Sequence, residues 1–304
     1  MTTLTPVQYE PILADITERA MLVDLTINMA TFRRFDSDVS REVADKHNAE
    51  ASMGRYNKLL MDKKYLDPIT KAASKLRNEH NLRTLPWSQS GPRILLSVGY
   101  LKYKTEIRKL EEEFKARVDE FNASYTQYRD ASLSKLGSLA TLADYPTPDE
   151  VVKLFGVGVN ILPFPTGQDF RVNLGAMETE RVRQEVTERI HAAIQEAAKE
   201  PVARIREVVG HMIERLKLYE ERIRSQAKGR QDTFTDSLVT NVKELVYLLP
   251  SLNITNDPVL AEITKKMDVA LCTLTPNELR ISSQSREFVI SSAESIMDQL
   301  SSIM

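Results

Sequence analysis

The stretch YLKYKTEIRKLEEEFKARVDEFNASYTQYRD, residues 100–130, decides the fold class of this chain. Large apolar residues recur in it every three or four positions, and charged residues fill most positions between them. This period places the apolar side chains along one face of an α-helix, in a seam similar to the a and d positions of a coiled coil. We therefore predict a long helix over residues 95–134. Its seam consists of Tyr103, Ile107, Leu110, Phe114, Val118, Phe121, Tyr125 and Tyr128.

A second long helical pattern runs from residue 176 to about residue 228. Pro201 lies inside it, and because proline lacks a backbone N–H and its ring clashes with the preceding turn, we expect a kink or a break there. Two such patterns predict a mainly α fold built on a long antiparallel coiled-coil-like helical hairpin. Pairing within one chain and pairing between two chains would give the same seams. The second seam consists of Ile205, Val208, Met212, Leu216, Tyr219 and Ile223.

The segment between the long helices, residues 137–175, loses the helical period and predicts a small mixed α/β element at the tip of the hairpin. A short helix is expected to begin at Thr147-Pro148. The runs 156–165 and 169–174 are typical of two strands, which would pair as a small β-hairpin.

The two ends of the chain are expected to form a helical bundle at the base of the hairpin. Helices are predicted over residues 7–66 (as one or two helices), 69–80, 234–248, 258–271 and 276–303, with a loop over residues 82–94. The last helix is predicted to bury Ile281, Phe288, Val289, Ile296 and Leu300. The predicted domains are the N-terminal helices and tryptophan loop of the base (1–95), the first long arm (96–136), the tip (137–175), the second long arm (176–230) and the C-terminal helices of the base (231–304).

Three sites carry the same helix-start signal, a threonine followed by proline and, three residues after the threonine, by glutamate or glutamine. The threonine would act as N-cap, and the Glu or Gln side chain can reach back to its backbone N–H. The three sites begin at Thr5, Thr147 and Thr275.

Composition excludes several classes of protein. The chain has 304 residues, 42% hydrophobic and 28% charged, with a formal net charge of -2. That apolar content can form a sizeable core and is too high for a wholly disordered chain. The near-neutral charge lowers the expectation of nucleic-acid binding, which usually leaves a basic footprint.

The single cysteine, Cys272, can form neither an intrachain disulfide nor a cysteine-based zinc site, which favours a reducing compartment. The first ten residues lack the basic and apolar regions of a signal peptide, and no run approaches the ~18 apolar residues of a membrane span. We predict a cytoplasmic protein that does not enter a membrane.

No motif indicates catalysis. The four histidines lack metal-ligand spacing, Gly156-Val157-Gly158 lacks the third glycine of a dinucleotide-binding loop, and no nucleophile elbow occurs. We expect no enzyme, no cofactor and no metal.

Two groups of residues are candidates for binding. Leu162 and Phe164 at the predicted tip and Trp87 in the loop are candidate partner-binding residues, with packing in the protein's own core as the alternative. Residues 204–230 carry a net charge of about +4. The candidate nucleic-acid-binding residues there are Arg215, Arg222, Arg224, Lys228 and Arg230, with solvation and compensation of the helix dipole as the alternative.

Several motifs resemble an uncharacterised family of bacterial and phage proteins, a domain of unknown function often encoded near a MoxR-type AAA ATPase. The similarity spans roughly residues 10–240. It implies a prokaryotic or phage origin and an AAA ATPase as a partner, and it implies no active-site residue. The motifs are Arg83-Thr84-Leu85-Pro86-Trp87, Gly91-Pro92-Arg93-Ile94-Leu95, Tyr145-Pro146-Thr147-Pro148-Asp149-Glu150 and Phe155-Gly156-Val157.

The sequence therefore predicts a non-enzymatic helical interaction protein, either an adaptor or an assembly subunit that acts in the cytoplasm with a protein partner. Homo-oligomerisation remains an open alternative. A second hypothesis is a nucleic-acid-binding protein of phage replication or recombination that uses the basic face over residues 204–230.

Overall fold

The computed structural model describes residues 15–172, 174–225 and 234–301. The chain is mainly α-helical with a small amount of β-structure, as the sequence predicts. It divides into two compact units that each combine segments distant in sequence, whereas the sequence analysis divides it into five consecutive segments. Unit 1 contains Met1–Val23, Leu82–Leu101 and Ile161–Met304, and unit 2 contains Asp24–Asn81 and Lys102–Asn160.

The helices and strands are labelled in chain order. The helices are α1 Ser37–Lys46, α2 Lys63–Arg83, α3 Ser97–Leu136, α4 Pro148–Lys153, α5 Ala176–Ser225, α6 Ser237–Leu248, α7 Pro258–Leu271, α8 Pro276–Ile281 and α9 Ser283–Ser301. The strands are β1 Ala20–Asn28, β2 Arg33–Asp36, β3 Tyr56–Leu59, β4 Leu85–Pro86, β5 Arg93–Leu96 and β6 Gly156–Pro163.

The N-terminal segment contains strands where the sequence analysis predicts only helix. Strand β1 pairs antiparallel with β5, from Ala20 opposite Leu96 to Val23 opposite Arg93, in a sheet of order β4-β5-β1-β6. Strands β2 and β3 form a separate antiparallel pair. The prediction of one or two helices over residues 7–66 is therefore wrong for the residues that form β1, β2 and β3, and residues 7–14 lie outside the described part of the chain. Short apolar runs such as that of β1 fit the helical and the strand period equally, and tertiary pairing decides between them.

The β-hairpin predicted at the tip is absent from the described residues. Strand β6 joins β1, and no strand occurs over residues 169–172 or at residue 174. Instead, the Thr166 backbone N–H donates to Asp169 Oδ2 at 2.7 Å and closes one turn of 3-10 helix. The threonine cap stabilises this turn, so the chain does not extend into a second strand.

The seam of α3 is buried or half-buried within unit 2. Phe121 lies at its centre, with its ring centroid 5.9 Å from those of Phe32 and Phe155. Further along, Tyr65 and Tyr128 stack with centroids 4.1 Å apart. Elements of the same unit therefore cover the aromatic seam.

Helix α5 is continuous through Pro201, which is buried, so of the kink or break that the sequence predicts, the break does not occur. The apolar residues of α5 contribute to two cores of unit 1. Ile190 and Ile194 pack into a core with residues of β1, β4 and β5. The segment from Val202 to Leu216 packs against α6, α7 and α9.

Helix caps and boundaries in the last part of the chain follow the sequence closely. Thr275 Oγ1 accepts from the Glu278 N–H at 3.2 Å, and the Thr275 N–H donates to Glu278 Oε2 at 2.7 Å, so the capping box is confirmed. At the start of α4, the Thr147 N–H likewise donates to Glu150 Oε2, at 2.8 Å. The Thr5 signal lies outside the described residues. The predicted helix 276–303 is divided between α8 and α9 at Ser282.

Helices α5 and α9 are joined by ion pairs, of which one buried pair and one exposed pair allow a comparison. In the buried pair, Arg286, which is 2% exposed, donates from Nε to Glu220 Oε2 at 2.5 Å. Ser283 Oγ donates to the other oxygen of Glu220 at 2.6 Å. In the exposed pair, Lys217 Nζ lies 2.6 Å from Glu294 Oε1. Both pairs cross the same helix interface, so they differ mainly in burial.

We predict that Arg286→Met lowers the free energy of unfolding by about 3 kcal/mol, because it leaves the Glu220 carboxylate buried without its main partner. The matched variant Lys217→Met should lower it by less than about 1 kcal/mol. Denaturant unfolding of both variants measures the difference. Equal small effects would contradict a structural role for the buried pair.

The same pair predicts a dependence of stability on pH. Hydrogen bonds from Ser283 and Arg286 lower the pKa of Glu220 in the folded protein. The pair therefore stabilises the fold above the unfolded-state pKa of about 4.3, and this contribution is lost as the pH falls through the folded-state value. The difference in stability between the native chain and Glu220→Gln should shrink between about pH 7 and pH 3. A constant difference over that range would contradict the assignment.

Candidate interaction surfaces

The three predicted partner-binding residues occupy different environments in unit 1. Phe164 is 5% exposed and packs in the core that contains Ile190, with its ring edge-to-face on half-buried Trp87 at 5.1 Å. Leu162 is 45% exposed. Phe164 is therefore a core residue, which corrects its assignment as a partner-binding residue. Strand β6 ends at Pro163, so Phe164 lies outside the strand alternation that would place it on the same face as Leu162.

The described part of the predicted nucleic-acid face is largely occupied by contacts within unit 1. Arg224 lies 3.6 Å from both Glu220 and Glu287, and Arg222 also has an interaction partner. Arg204 donates to the carbonyl oxygens of Leu82 and Thr84, at 2.6 and 3.1 Å. These contacts leave fewer cations for phosphate. Arg215 is half-buried, and Lys228 and Arg230 lie outside the described residues.

The motif Arg83-Thr84-Leu85-Pro86-Trp87 has a structural role in unit 1. Thr84 is buried, and Arg93 donates to its Oγ1 at 2.7 Å and to its carbonyl oxygen at 3.1 Å. Arg204 of α5 donates to the same carbonyl oxygen. Burial, with Arg204 nearby, lowers the pKa of Arg93. The motif thus ties the β4–β5 hairpin to α5.

Among the residues that the structure describes, no group of three or more His, Cys, Asp or Glu side chains is placed to hold a metal ion. Burial raises the pKa of Cys272 to about 11, so its thiol stays protonated near neutral pH. His80 is buried, with Nδ1 2.8 Å from the Tyr103 hydroxyl. Within the described ranges, no helix has both the length and the apolar character needed to cross a bilayer.

An open groove of about 670 Å³ lies between α7 and α9 in unit 1. Two large apolar residues stand at it, Val269 at 71% exposure and Phe288 at 55%. Small side chains, those of Ala270, Ser291, Ser292 and Ser295, also line the groove. The lining residues are Glu262, Lys265, Lys266, Val269, Ala270, Phe288, Ser291, Ser292, Ser295 and Ile296.

The helical period of the sequence predicts that the side chains of Phe288 and Ile281 are buried, and this prediction is wrong for both. Phe288 and Ile281 are exposed, whereas Arg286 and Val289 are buried. The buried positions of α9 do keep a three-and-four spacing, but a charged residue occupies one of them. The helical period predicts the wrong buried face when arginine is assumed to lie on the surface. For this reason the exposure of Phe288 at the groove is not predicted from the sequence.

Searches of protein-family models, of curated proteins and of solved structures found no significant match for this chain. The resemblance to the uncharacterised bacterial and phage family therefore stays a prediction.

The contrast between Leu162 and Phe164 gives a direct test. We predict that Phe164→Ala lowers the free energy of unfolding by about 3 to 5 kcal/mol, because it leaves a cavity beside Trp87. Leu162→Ala should change it by less than about 1 kcal/mol, because the side chain already contacts water. Thermal or denaturant unfolding measures both. A near-neutral Phe164→Ala would show that the aromatic pair is not part of the core.

Proposed function

We propose that this protein is a non-enzymatic interaction subunit, an adaptor or assembly component, and that its α7–α9 groove binds a helical segment of a partner protein. The observation that carries the proposal is the exposure of Val269 and Phe288 at one groove. Apolar side chains of this size, gathered at one concave surface, are typical of binding sites for an amphipathic helix.

The walls of the groove fit a helical occupant. Ser291, Ser292 and Ser295 follow one another along α9, and their small side chains allow the backbone of a second helix to approach closely. Lys265 and Lys266 stand at the rim, where Lys266 pairs with Glu262 at 2.7 Å. An apolar helix face bordered by acidic residues would complement this surface.

The resemblance to the bacterial and phage family supports a MoxR-type AAA ATPase as the partner, and bacterial or phage-infected cytoplasm as the compartment. Self-association is the competing interaction. The antiparallel pairing of α3 and α5 as a coiled-coil hairpin stays a prediction. Residues within each helix's own unit already cover much of its seam.

The alternative, nucleic-acid binding along α5, also stays a prediction. Arg204 and Arg224 already contact groups within unit 1, so they are less available to bind phosphates. The α7–α9 groove therefore favours a protein partner over nucleic acid.

We predict that the double variant Val269→Gln, Phe288→Gln reduces partner recovery at least about tenfold. Losing the burial of these two side chains would remove about 2 to 3 kcal/mol of binding free energy. Nuclease-treated affinity purification, quantified by mass spectrometry, measures the recovery, and an AAA ATPase is the expected partner.

The matched control is Val259→Gln, Tyr247→Gln. It removes one valine and one aromatic residue that are exposed in the same unit and do not line the groove. The control should bind as the native chain does. Equal recovery of every partner by the groove variant and the native chain would refute the proposal. If the groove variant loses only self-association, the occupant of the groove is a second copy of this chain and not a partner protein.

A further inference from the structure

The β2–β3 pair of unit 2 has one face exposed to solvent along its whole length. Its register sets Arg33 opposite Leu59 and Phe35 opposite Asn57. Side chains directly opposite each other in an antiparallel pair lie on the same face, so these four residues share one surface. All four are exposed, and Phe35 is 43% exposed.

Arg55 extends this surface beyond the end of β3. Its guanidinium carbon lies 4.7 Å from the centroid of the Phe35 ring, within the range of a cation–π contact. Among the described residues, neither Arg33 nor Arg55 forms an ion pair with a carboxylate. We call Arg33, Phe35, Arg55, Asn57 and Leu59 the hairpin face.

The opposite face of the pair is held firmly in unit 2. Lys58 is buried there, and its Nζ lies 2.7 Å from Asp144 Oδ2 and 3.2 Å from Asp36 Oδ2, while it donates to the Leu139 carbonyl oxygen at 3.3 Å. Arg34 pairs with Asp144 at 3.1 Å. These contacts fix one face of the ribbon, so the hairpin face is presented as a preorganised surface.

From these observations we propose that the hairpin face is a binding site for single-stranded nucleic acid. The hairpin face combines an exposed aromatic ring with two arginines that form no ion pair with a described carboxylate, and this combination matches a ligand that has both flat rings and phosphates. A nucleobase would stack on Phe35, and Arg33 and Arg55 would contact the neighbouring phosphates. The Asn57 amide can donate to and accept from a base edge.

A groove of about 320 Å³ adjoins the hairpin face and shares Arg55 with it. Apolar side chains, including Val43 and Met53, form part of its wall, and Tyr56 adds a second aromatic ring. Glu50 also lines it, and its carboxylate disfavours a phosphate. The groove therefore fits a base next to the one stacked on Phe35, with the backbone outside along the arginines.

A single strand fits this surface better than a duplex does. Stacking on Phe35 needs a base that is free of its neighbours, and duplex bases are already stacked and paired. A protein partner would need a carboxylate placed for each arginine, whereas a nucleic-acid backbone supplies phosphates at regular spacing. The proposal concerns unit 2 and is independent of the α7–α9 groove of unit 1.

The test is fluorescence anisotropy with the full chain and a labelled thymidine oligomer of about 20 nucleotides, at about 50 and 200 mM salt. The same length of duplex and an abasic oligomer of equal charge are the comparison probes. We expect the single strand to bind at least about tenfold more tightly than the abasic oligomer, because base stacking adds to the phosphate contacts.

Two variants separate stacking from charge. Phe35→Leu keeps an apolar side chain and should weaken single-strand binding about tenfold without changing abasic binding. Arg33→Gln with Arg55→Gln should weaken both, and should lower the slope of log affinity against log salt by about 1.4, or about 0.7 for each phosphate. The control Arg108→Gln with Arg117→Gln removes the same charge from the exposed surface of α3 and should bind as the native chain does.

Circular dichroism and unfolding midpoints confirm that each variant is folded. The proposal would be overturned by no binding at low salt, by equal affinity for the abasic and thymidine oligomers, or by equal loss in the α3 control. Preferential duplex binding would also overturn it. Loss of binding in Phe35→Leu and in the arginine variant, with the control unchanged, supports it.

Discussion

The continuity of α5 is the constraint on which unit 1 depends. Its stripe contributes Ile190 and Ile194 to the core that contains the sheet residues, and Met212 and Leu216 to the helical core. Pro201, at the junction, removes one backbone hydrogen bond, which would cost about 3 kcal/mol in an exposed helix. Here the proline is buried, and packing on both sides of it offsets that loss. The local effect of proline predicts a kink or a break in the helix at Pro201. The helix continues because both cores pack against it.

Buried polar groups fix how neighbouring elements meet in each unit. Arg286 donates to Glu220 and to the carbonyl oxygens of Leu279 and Arg280. Lys58 has three oxygen partners, which match the three donors of an ammonium group. A buried charge is tolerated only where such partners are in place, so these residues favour one arrangement of their neighbours.

Much of the helical framework is predictable, and much of the surface is not. The period over residues 100–130 predicts α3, and the helix predicted over residues 258–271 has the bounds of α7. Strand β1 is missed because a short apolar run fits two periods, and only pairing with β5 decides between them. The exposure of Phe288 is missed because Arg286 occupies a core position through contacts that no local pattern encodes. Candidate sites depend on tertiary contacts of this kind, so the sequence predicts the sites less well than the helices.

The chemistry around an exposed aromatic ring decides what it can bind. Phe288 and Phe35 have similar exposure but different neighbours. Beside Phe288 stand Val269 and small serine side chains, so the favourable event is the burial of apolar area against another apolar surface. Beside Phe35 stands the guanidinium of Arg55, and a purely apolar partner would have to remove that charge from water without pairing it. An anionic ligand with flat rings avoids this penalty, because its phosphates pair with the arginines while its bases cover the ring. The two rings therefore favour different classes of partner.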